Sequence, residues 1–173
     1  MANVSRGFRP TVSPTHPSLA VDGQNNIYVV FTNPDLEINQ QDILLAKSTD
    51  GVRFETINNL SYASFWNGAR ADWPALGVDG AGNLTAAWRE LVTNPLKLSD
   101  PQRDMFYSRS RDGGLNWSPP VNMTTNLGDT LLGSSTSFTP EPIGMTVDGA
   151  GRVFIVWDDD TSGGSQILMM QLP

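Results

Sequence analysis

Three short stretches of the chain are apolar at nearly every position and end in an aromatic residue. They occupy residues 27–31, 84–88 and 153–157. Each follows an Asp-Gly pair, at Asp22, Asp79 and Asp148, and such pairs favour the tight turns of β-hairpins. A strand that is apolar throughout, without alternation, is typical of a sheet covered on both faces. The pattern therefore predicts three copies of a hairpin whose second strand is buried between two layers.

Further strands are predicted on either side of each hairpin. A short apolar segment preceded or opened by proline comes before each turn, at Pro17, Pro74 and Pro142. A third strand follows each hairpin, and a fourth follows in the first two copies; these are residues 42–48, 104–110 and 166–172, and then 53–60 and 116–124. Residues 86–91 are good helix formers, but their alignment with the other two copies favours a strand. Each copy is therefore predicted to be a four-stranded antiparallel meander.

Repeated four-stranded units are typical of β-propellers, in which each unit is one blade. The 173 residues are expected to form a single all-β domain, with blades at about residues 17–60, 74–125 and 142–172. A β-sandwich is the alternative architecture. The third unit stops before its fourth strand, whereas residues 8–12 match residues 117–121, which begin the fourth strand of the second unit.

That match predicts that residues 5–13 supply the missing fourth strand of a third blade. We expect the blade that they complete to belong to a partner chain. Three blades cannot close a ring, and two-fold dimers are the commonest closed assemblies. The expectation is therefore a homodimer that forms a six-bladed ring. The alternative is that the chain is a fragment of a longer propeller.

Residues 110–117, Ser-Arg-Asp-Gly-Gly-Leu-Asn-Trp, carry the pattern S-x-D-x-G-x-x-W, and residues 48–54 carry a copy that is one residue shorter. This pattern resembles the Asp-box of the sialidase-like (bacterial neuraminidase repeat) propellers. The resemblance implies a structural role in a turn for Ser48, Asp50, Gly51, Phe54, Ser110, Asp112, Gly114 and Trp117. It also implies that these turns lie opposite the ligand pocket and that the protein is extracellular or periplasmic, although the chain shows no signal peptide.

Composition narrows the possible partners. The 11 Lys and Arg against 18 Asp and Glu give a net charge of −7, so neither nucleic acid nor an anionic membrane is an expected partner. Without cysteine there is no disulfide framework and no thiolate site, and with one histidine there is no His-rich metal site. No run of residues approaches the roughly 18 apolar positions that a membrane span needs. No cofactor and no metal are predicted.

The connections opposite the Asp-Gly turns are long, and long loops on a rigid scaffold are where binding sites are usually built. The residues there form a mixed set of aromatic, acidic and guanidinium side chains, which suits a glycan. The candidate ligand-binding residues are Trp66, Arg70, Asp72, Trp73, Arg89, Glu90, Asp158 and Asp159. A non-catalytic glycan-binding module is the first hypothesis.

A glycosidase of sialidase type is the second hypothesis. The resemblance implies an arginine triad, a Tyr paired with a Glu, and an acidic Asp, with the first arginine in an aromatic-Arg-Ile-Pro motif. Phe8-Arg9-Pro10 lacks the isoleucine, so no catalytic residue is assigned. Arg70 and Arg89 remain possible anion clamps, and Glu90 with Asp158 a possible acid and base. A propeller fragment or interaction scaffold is the third hypothesis.

Overall fold

The computed structural model describes residues 2–5, 13–35, 40–61, 70–92, 102–124, 143–159 and 166–172. These residues form strands, turns and irregular segments, and they contain no helix. The strands are β1 (Thr15–Val21), β2 (Ile27–Asp35), β3 (Gln40–Ser48), β4 (Glu55–Asn59), β5 (Arg70–Val78), β6 (Leu84–Val92), β7 (Gln102–Ser110), β8 (Val121–Asn122), β9 (Gly144–Val147), β10 (Val153–Asp159) and β11 (Gln166–Leu172).

The strands pair as three antiparallel meanders that follow the chain. The first meander is β1–β4, the second is β5–β8, and the third is β9–β11. A single parallel bridge between Gln41 and Arg70 joins the first meander to the second, so these eight strands count as one sheet. The all-β prediction and the hairpin at each Asp-Gly turn are confirmed.

The strand bounds differ from those predicted. The second strand of each meander runs past its aromatic residue, because pairing with the third strand continues through polar positions such as Thr32 with Ile43. Asp158 and Asp159, which we expected in a connection, therefore lie inside β10. Arg89 and Glu90, which we placed both in the predicted strand at residues 86–91 and at the start of the connection after it, lie inside β6. The fourth strand of the second meander is shorter than residues 116–124, because Ser118 is followed by two prolines that have no N–H for a ladder.

Two hydrophobic cores separate the three meanders, and alternate residues of β6 serve one core or the other. Leu84, Ala86 and Trp88 pack with Tyr28 and Val30 between the first and second meanders. Ala87 belongs to the second core, between the second and third meanders, together with Ala75, Met105, Met123, Ile143, Val153, Ile155, Trp157 and Leu172. The middle meander is thus covered on both faces, which agrees with the nearly continuous apolar run at residues 84–88 of its second strand.

The first strands of the meanders, β1, β5 and β9, contact one another in that order. β5 and β9 approach closely at Gly77, where a Cβ would lie 2.7 Å from Cγ2 of Val147 and 3.1 Å from Sδ of Met145. The fourth strands β4 and β8 are at the far edges of their meanders. The first strands therefore lie next to one another, and the ends at which β1 and β5 begin carry the candidate site described below.

The Asp-Gly turns are held by the aspartate side chain. In each turn one carboxylate oxygen accepts hydrogen bonds from the backbone N–H groups two and four residues later, at 2.8–2.9 Å. The third residue after the aspartate has positive φ and is Asn25 in the first turn, where the other turns have Gly82 and Gly151. Asparagine is one of the few non-glycine residues that adopt this conformation readily.

Two further turns, residues 48–54 and 110–117, are called the Ser-x-Asp turns below. In the second, Asp112 accepts hydrogen bonds from the backbone N–H of Asn116 at 2.9 Å and from its side-chain amide at 2.7 Å. The Ser110 hydroxyl accepts a bond from Gly114 N–H at 2.9 Å, and the Trp117 indole donates to the Gly114 carbonyl at 3.0 Å. These contacts fasten the turn and fold the aromatic ring back on the sheet.

The hydrogen bonds lower the pKa of all five turn carboxyls. In Asp112 the bonds from Asn116 and Ser110 lower the pKa to about 2, and in Asp50 the N–H groups of Arg53 and Val52 lower the pKa. Burial by itself raises the pKa of Asp22 and Asp79, but their hydrogen bonds, led by Asn26 and Asn83, outweigh it. Bonds from Arg152 lower the pKa of Asp148.

We expect stability to fall at acid pH. A carboxyl whose folded pKa lies below its unfolded value of about 3.9 stabilises the fold above that value and loses the effect as pH falls through the folded pKa. The free energy of unfolding should therefore decrease between about pH 4 and pH 2. Urea unfolding across this range measures the slope, which should be smaller in Asp112→Asn; an unchanged slope in that variant would contradict the role of Asp112.

Within the part of the chain that the structure describes, no helix has the length and apolar character needed to cross a membrane.

Candidate functional site

Two aromatic side chains meet where β1 and β5 begin, at the end of the meanders opposite the turns. His16 and Trp73 occupy equivalent repeat positions, each directly before a proline. Their ring centroids are 3.8 Å apart with an interplanar angle of 30°. Both rings are only partly buried, so the pair forms a half-open aromatic surface at this end.

The backbone that carries these rings is strained. His16 has φ of 51° and Trp73 has φ of 54°, a conformation that bulky residues adopt rarely. Each residue lies in an irregularity of the antiparallel register, between Thr15 and Ser18 in β1 and between Asp72 and Ala75 in β5. Strained positions of this kind cluster at binding and catalytic sites, because only the surrounding structure can hold them in place.

An ion pair joins the second and third meanders beside this surface. The Arg89 guanidinium, in β6, binds the Asp158 carboxylate, in β10. Arg89 is 5% exposed, whereas the Asp158 side chain is 26% exposed. The two residues occupy equivalent repeat positions, which Thr32 occupies in the first meander. Since a buried guanidinium needs a charged partner, Asp158 stabilises the charge of Arg89.

Two more carboxylates are buried close to Arg89 along the strands. Asp72 lies opposite Arg89 in the pairing of β5 with β6 and is 8% exposed. Glu90 is 2% exposed, and its Oε2 accepts a hydrogen bond from the Trp88 indole at 3.1 Å. Arg89 therefore has Asp72 beside it on the neighbouring strand and Asp158 as its ion-pair partner. Glu90, the next residue of β6, points to the opposite face of the sheet together with Trp88.

The structure brings together four of the predicted site residues: Asp72, Trp73, Arg89 and Asp158. Glu90 follows Arg89 in β6, but its side chain lies on the opposite face of the sheet, against Trp88. Arg70 begins β5, two residues before Asp72, and is partly buried. Trp66 lies outside the described residues, and of Asp159 only the backbone, at the end of β10, is described. The predicted strand at residues 5–13 also falls largely outside them.

Sequence reasoning left His16 without a role in the site. The signal that could have found it is the shared repeat position of His16 and Trp73, each before a proline and each six residues before the Asp-Gly turn. The pairing of Arg89 with Asp158 carried a similar signal, since both residues follow the closing aromatic of a second strand. The described residues contain no group of three or more His, Asp or Glu side chains that could hold a metal ion.

No protein-family model and no curated protein matches this sequence. Solved structures do match its fold. A protein of unknown function from Dyadobacter fermentans superposes with a TM-score of 0.64 at 17% identity, over 95% of this chain and 52% of that one. An α-L-arabinofuranosidase of Fusarium graminearum, in complex with arabinobiose, gives 0.63 at 14% identity, over 99% of this chain and 49% of that one.

An endo-arabinase from Bacteroides thetaiotaomicron gives a TM-score of 0.56 at 17% identity, over 95% of this chain and 58% of that one. The chain thus spans about half the length of these neighbours. The likeness shows an all-β, propeller-like fold shared with glycosidases. None of the three is named as a sialidase, so that narrower resemblance stays a prediction.

Proposed function

We propose that this protein is a carbohydrate-binding β-propeller that binds a glycan, without turnover, at the strand ends that carry Trp73 and Arg89. The observation that carries the proposal is the strained aromatic pair of His16 and Trp73 next to the buried ion pair of Arg89 and Asp158. Aromatic faces stack on the apolar faces of sugar rings, and charged groups hydrogen bond hydroxyls.

In this proposal each meander is a blade, and the protein is sialidase-like in its repeats. The support is the pair of Ser-x-Asp turns, which occupy the same place between the third and fourth strands of the first two meanders. They lie at the end opposite Trp73, which leaves the strand ends around Arg89 for the ligand. The carbohydrate class is also favoured because two of the structural neighbours are an α-L-arabinofuranosidase, in complex with arabinobiose, and an endo-arabinase.

Binding of arabinobiose and of 3′-sialyllactose, measured by calorimetry, tests the proposal. We expect saturable binding of one of these sugars and a loss of roughly tenfold or more in Trp73→Ala, since a stacked aromatic contact contributes about 1.4 kcal/mol or more. His16→Ala should weaken binding by a smaller factor, because it removes the support of the indole rather than the platform.

Arg111→Ala is the matched control, because Arg111 is exposed in a Ser-x-Asp turn at the opposite end. It should bind as the parent does. If neither sugar binds, or if Trp73→Ala binds unchanged while folded, the proposal is wrong. Circular dichroism of each variant separates a lost site from a lost fold.

An exo-glycosidase is the second candidate, and the two carboxylates next to Arg89, the buried Asp72 and the partly exposed Asp158, favour it. Acid and base catalysis of glycoside hydrolysis uses a pair of carboxyl groups. Hydrolysis of an aryl arabinofuranoside or aryl sialoside that is abolished in a folded Asp72→Asn variant would support this function. Binding without hydrolysis favours the non-catalytic glycan-binding module. If neither binding nor hydrolysis is detected, an interaction scaffold is favoured.

A further inference from the structure

The outward face of the first meander is apolar and incompletely covered. Leu19 and Val21 of β1 are 60% and 47% exposed. They lie beside Val29 and Ile27 in the register of β1 with β2, on the face that points away from the second meander. Val4 packs against part of this face, and a cavity of about 560 Å³ remains between the N-terminal residues, Val29 and Phe31.

The outward face of the third meander also carries exposed apolar side chains. Val156, Ile167 and Met169 are 39%, 73% and 61% exposed. Val156 and Met169 are paired across β10 and β11, and Ile167 is opposite Asp158, which places all three on one face. Their neighbours in the strands, such as Ile155 and Trp157, point the other way into the second core. A typical soluble protein covers contiguous apolar surface of this kind.

The repeat shows what kind of surface fits these faces. Leu19, Leu76 and Met145 are equivalent positions, each three residues before the aspartate of its turn. Leu76 is buried against the first meander, and Met145 packs against Gly77 of the second. Leu19, at the same repeat position, is 60% exposed. The face that carries Leu19 therefore corresponds to the faces by which the second and third meanders pack on the meander before them. The outward face of the third meander is the surface on which such a face would pack.

We propose that the outward face of the first meander docks on the outward face of the third meander of a second copy of this chain, and that two copies close a ring. A two-fold dimer covers the open faces of both copies at once, because the outward first-meander face of each copy packs on the outward third-meander face of the other.

The second copy would also extend the candidate site. Arg89 reaches Asp158 across one meander boundary, and the equivalent residue of the first meander is Thr32. Closing the ring brings the first meander of one copy, with Thr32, next to the Asp158 strand end of the other. The inference itself rests on the sheet faces and does not require that a glycan binds.

Light scattering on the full chain, over a range of concentrations, tests the proposal. For a chain of 18.8 kDa we expect the mass of two copies. Leu19→Asp and Met169→Arg should each shift the mass to one copy, because each places a charge in the apolar contact. Leu115→Asp is the control, since Leu115 is 65% exposed in a turn away from both faces, and it should remain two copies.

Mixing Leu19→Asp with Met169→Arg gives the sharpest result. In a closed pair, one contact would join the introduced aspartate of one variant to the introduced arginine of the other, and the second contact would be unchanged. The mixture should therefore regain the mass of two copies although neither variant does so alone. A misfolded variant cannot be rescued in this way. A parent chain of one-copy mass, an open polymer, or variants that stay paired would overturn the proposal.

Discussion

Trp88→Ala should lose about 3–5 kcal/mol of unfolding free energy, the usual cost of truncating a fully buried tryptophan. Trp88 is 0% exposed in the core between the first and second meanders, and its ring stacks on Phe106 with a centroid distance of 6.4 Å. The variant also removes the indole N–H that donates a hydrogen bond to Glu90, so the buried Glu90 carboxylate loses one hydrogen bond. Urea unfolding followed by circular dichroism measures the loss.

Trp88→Phe separates these two contributions. It keeps an aromatic ring in the core but removes the indole N–H, so it should cost less than Trp88→Ala. In Glu90→Gln the side-chain amide oxygen can still accept the hydrogen bond of the indole. Trp88→Phe should therefore lower the free energy of unfolding both in the parent and in Glu90→Gln. Leu115→Ala, in an exposed turn, should stay within about 0.5 kcal/mol of the parent. A loss in Trp88→Ala as small as that would contradict the central place of this residue in the core.

Arg89→Met should be the second large effect, at roughly 2–4 kcal/mol. Removing one partner of a buried ion pair leaves the other charge uncompensated, although the partial exposure of Asp158 screens part of the cost. Urea unfolding again gives the measurement. Because the ion pair joins the second and third meanders, the lost free energy of unfolding should come from weaker packing of the third meander on the second.

The double variant Arg89→Met with Asp158→Leu is the matched test of the ion pair. Replacing both partners by apolar side chains is often nearly neutral, so the double variant should be more stable than Arg89→Met alone. Arg89→Lys should lie between the parent and Arg89→Met, because it keeps the charge without the planar guanidinium. If the double variant loses the sum of the two single losses, the two residues do not act as a pair.

Local sequence patterns predicted most of the fold. The Asp-Gly turns and the apolar runs after them indicated every hairpin, and the aromatic residue that closes each run indicated the buried Trp88. Strand ends were harder to predict, because pairing continues through polar residues such as Thr32 once the register is established. That error placed Asp158 in a connection, although it lies in β10.

Two features of the candidate site depended on contacts between meanders and could not be read from one strand. The ion pair of Arg89 with Asp158 joins residues far apart in the chain, and only the packing of the second core sets their distance. The stack of His16 on Trp73 requires positive φ at both residues, and tryptophan does not favour this conformation. The proline after each of them marked the position but not the conformation.

Among the residues that the structure describes, every strand pairing except the bridge between Gln41 and Arg70 joins strands that are neighbours in the chain. Each meander therefore closes only short loops, and most of its hydrogen bonds need no residue made later in synthesis. During translation the first meander can assemble while the third is still inside the ribosome. The buried cores then form in order, as each new meander emerges and covers the apolar face left by the one before.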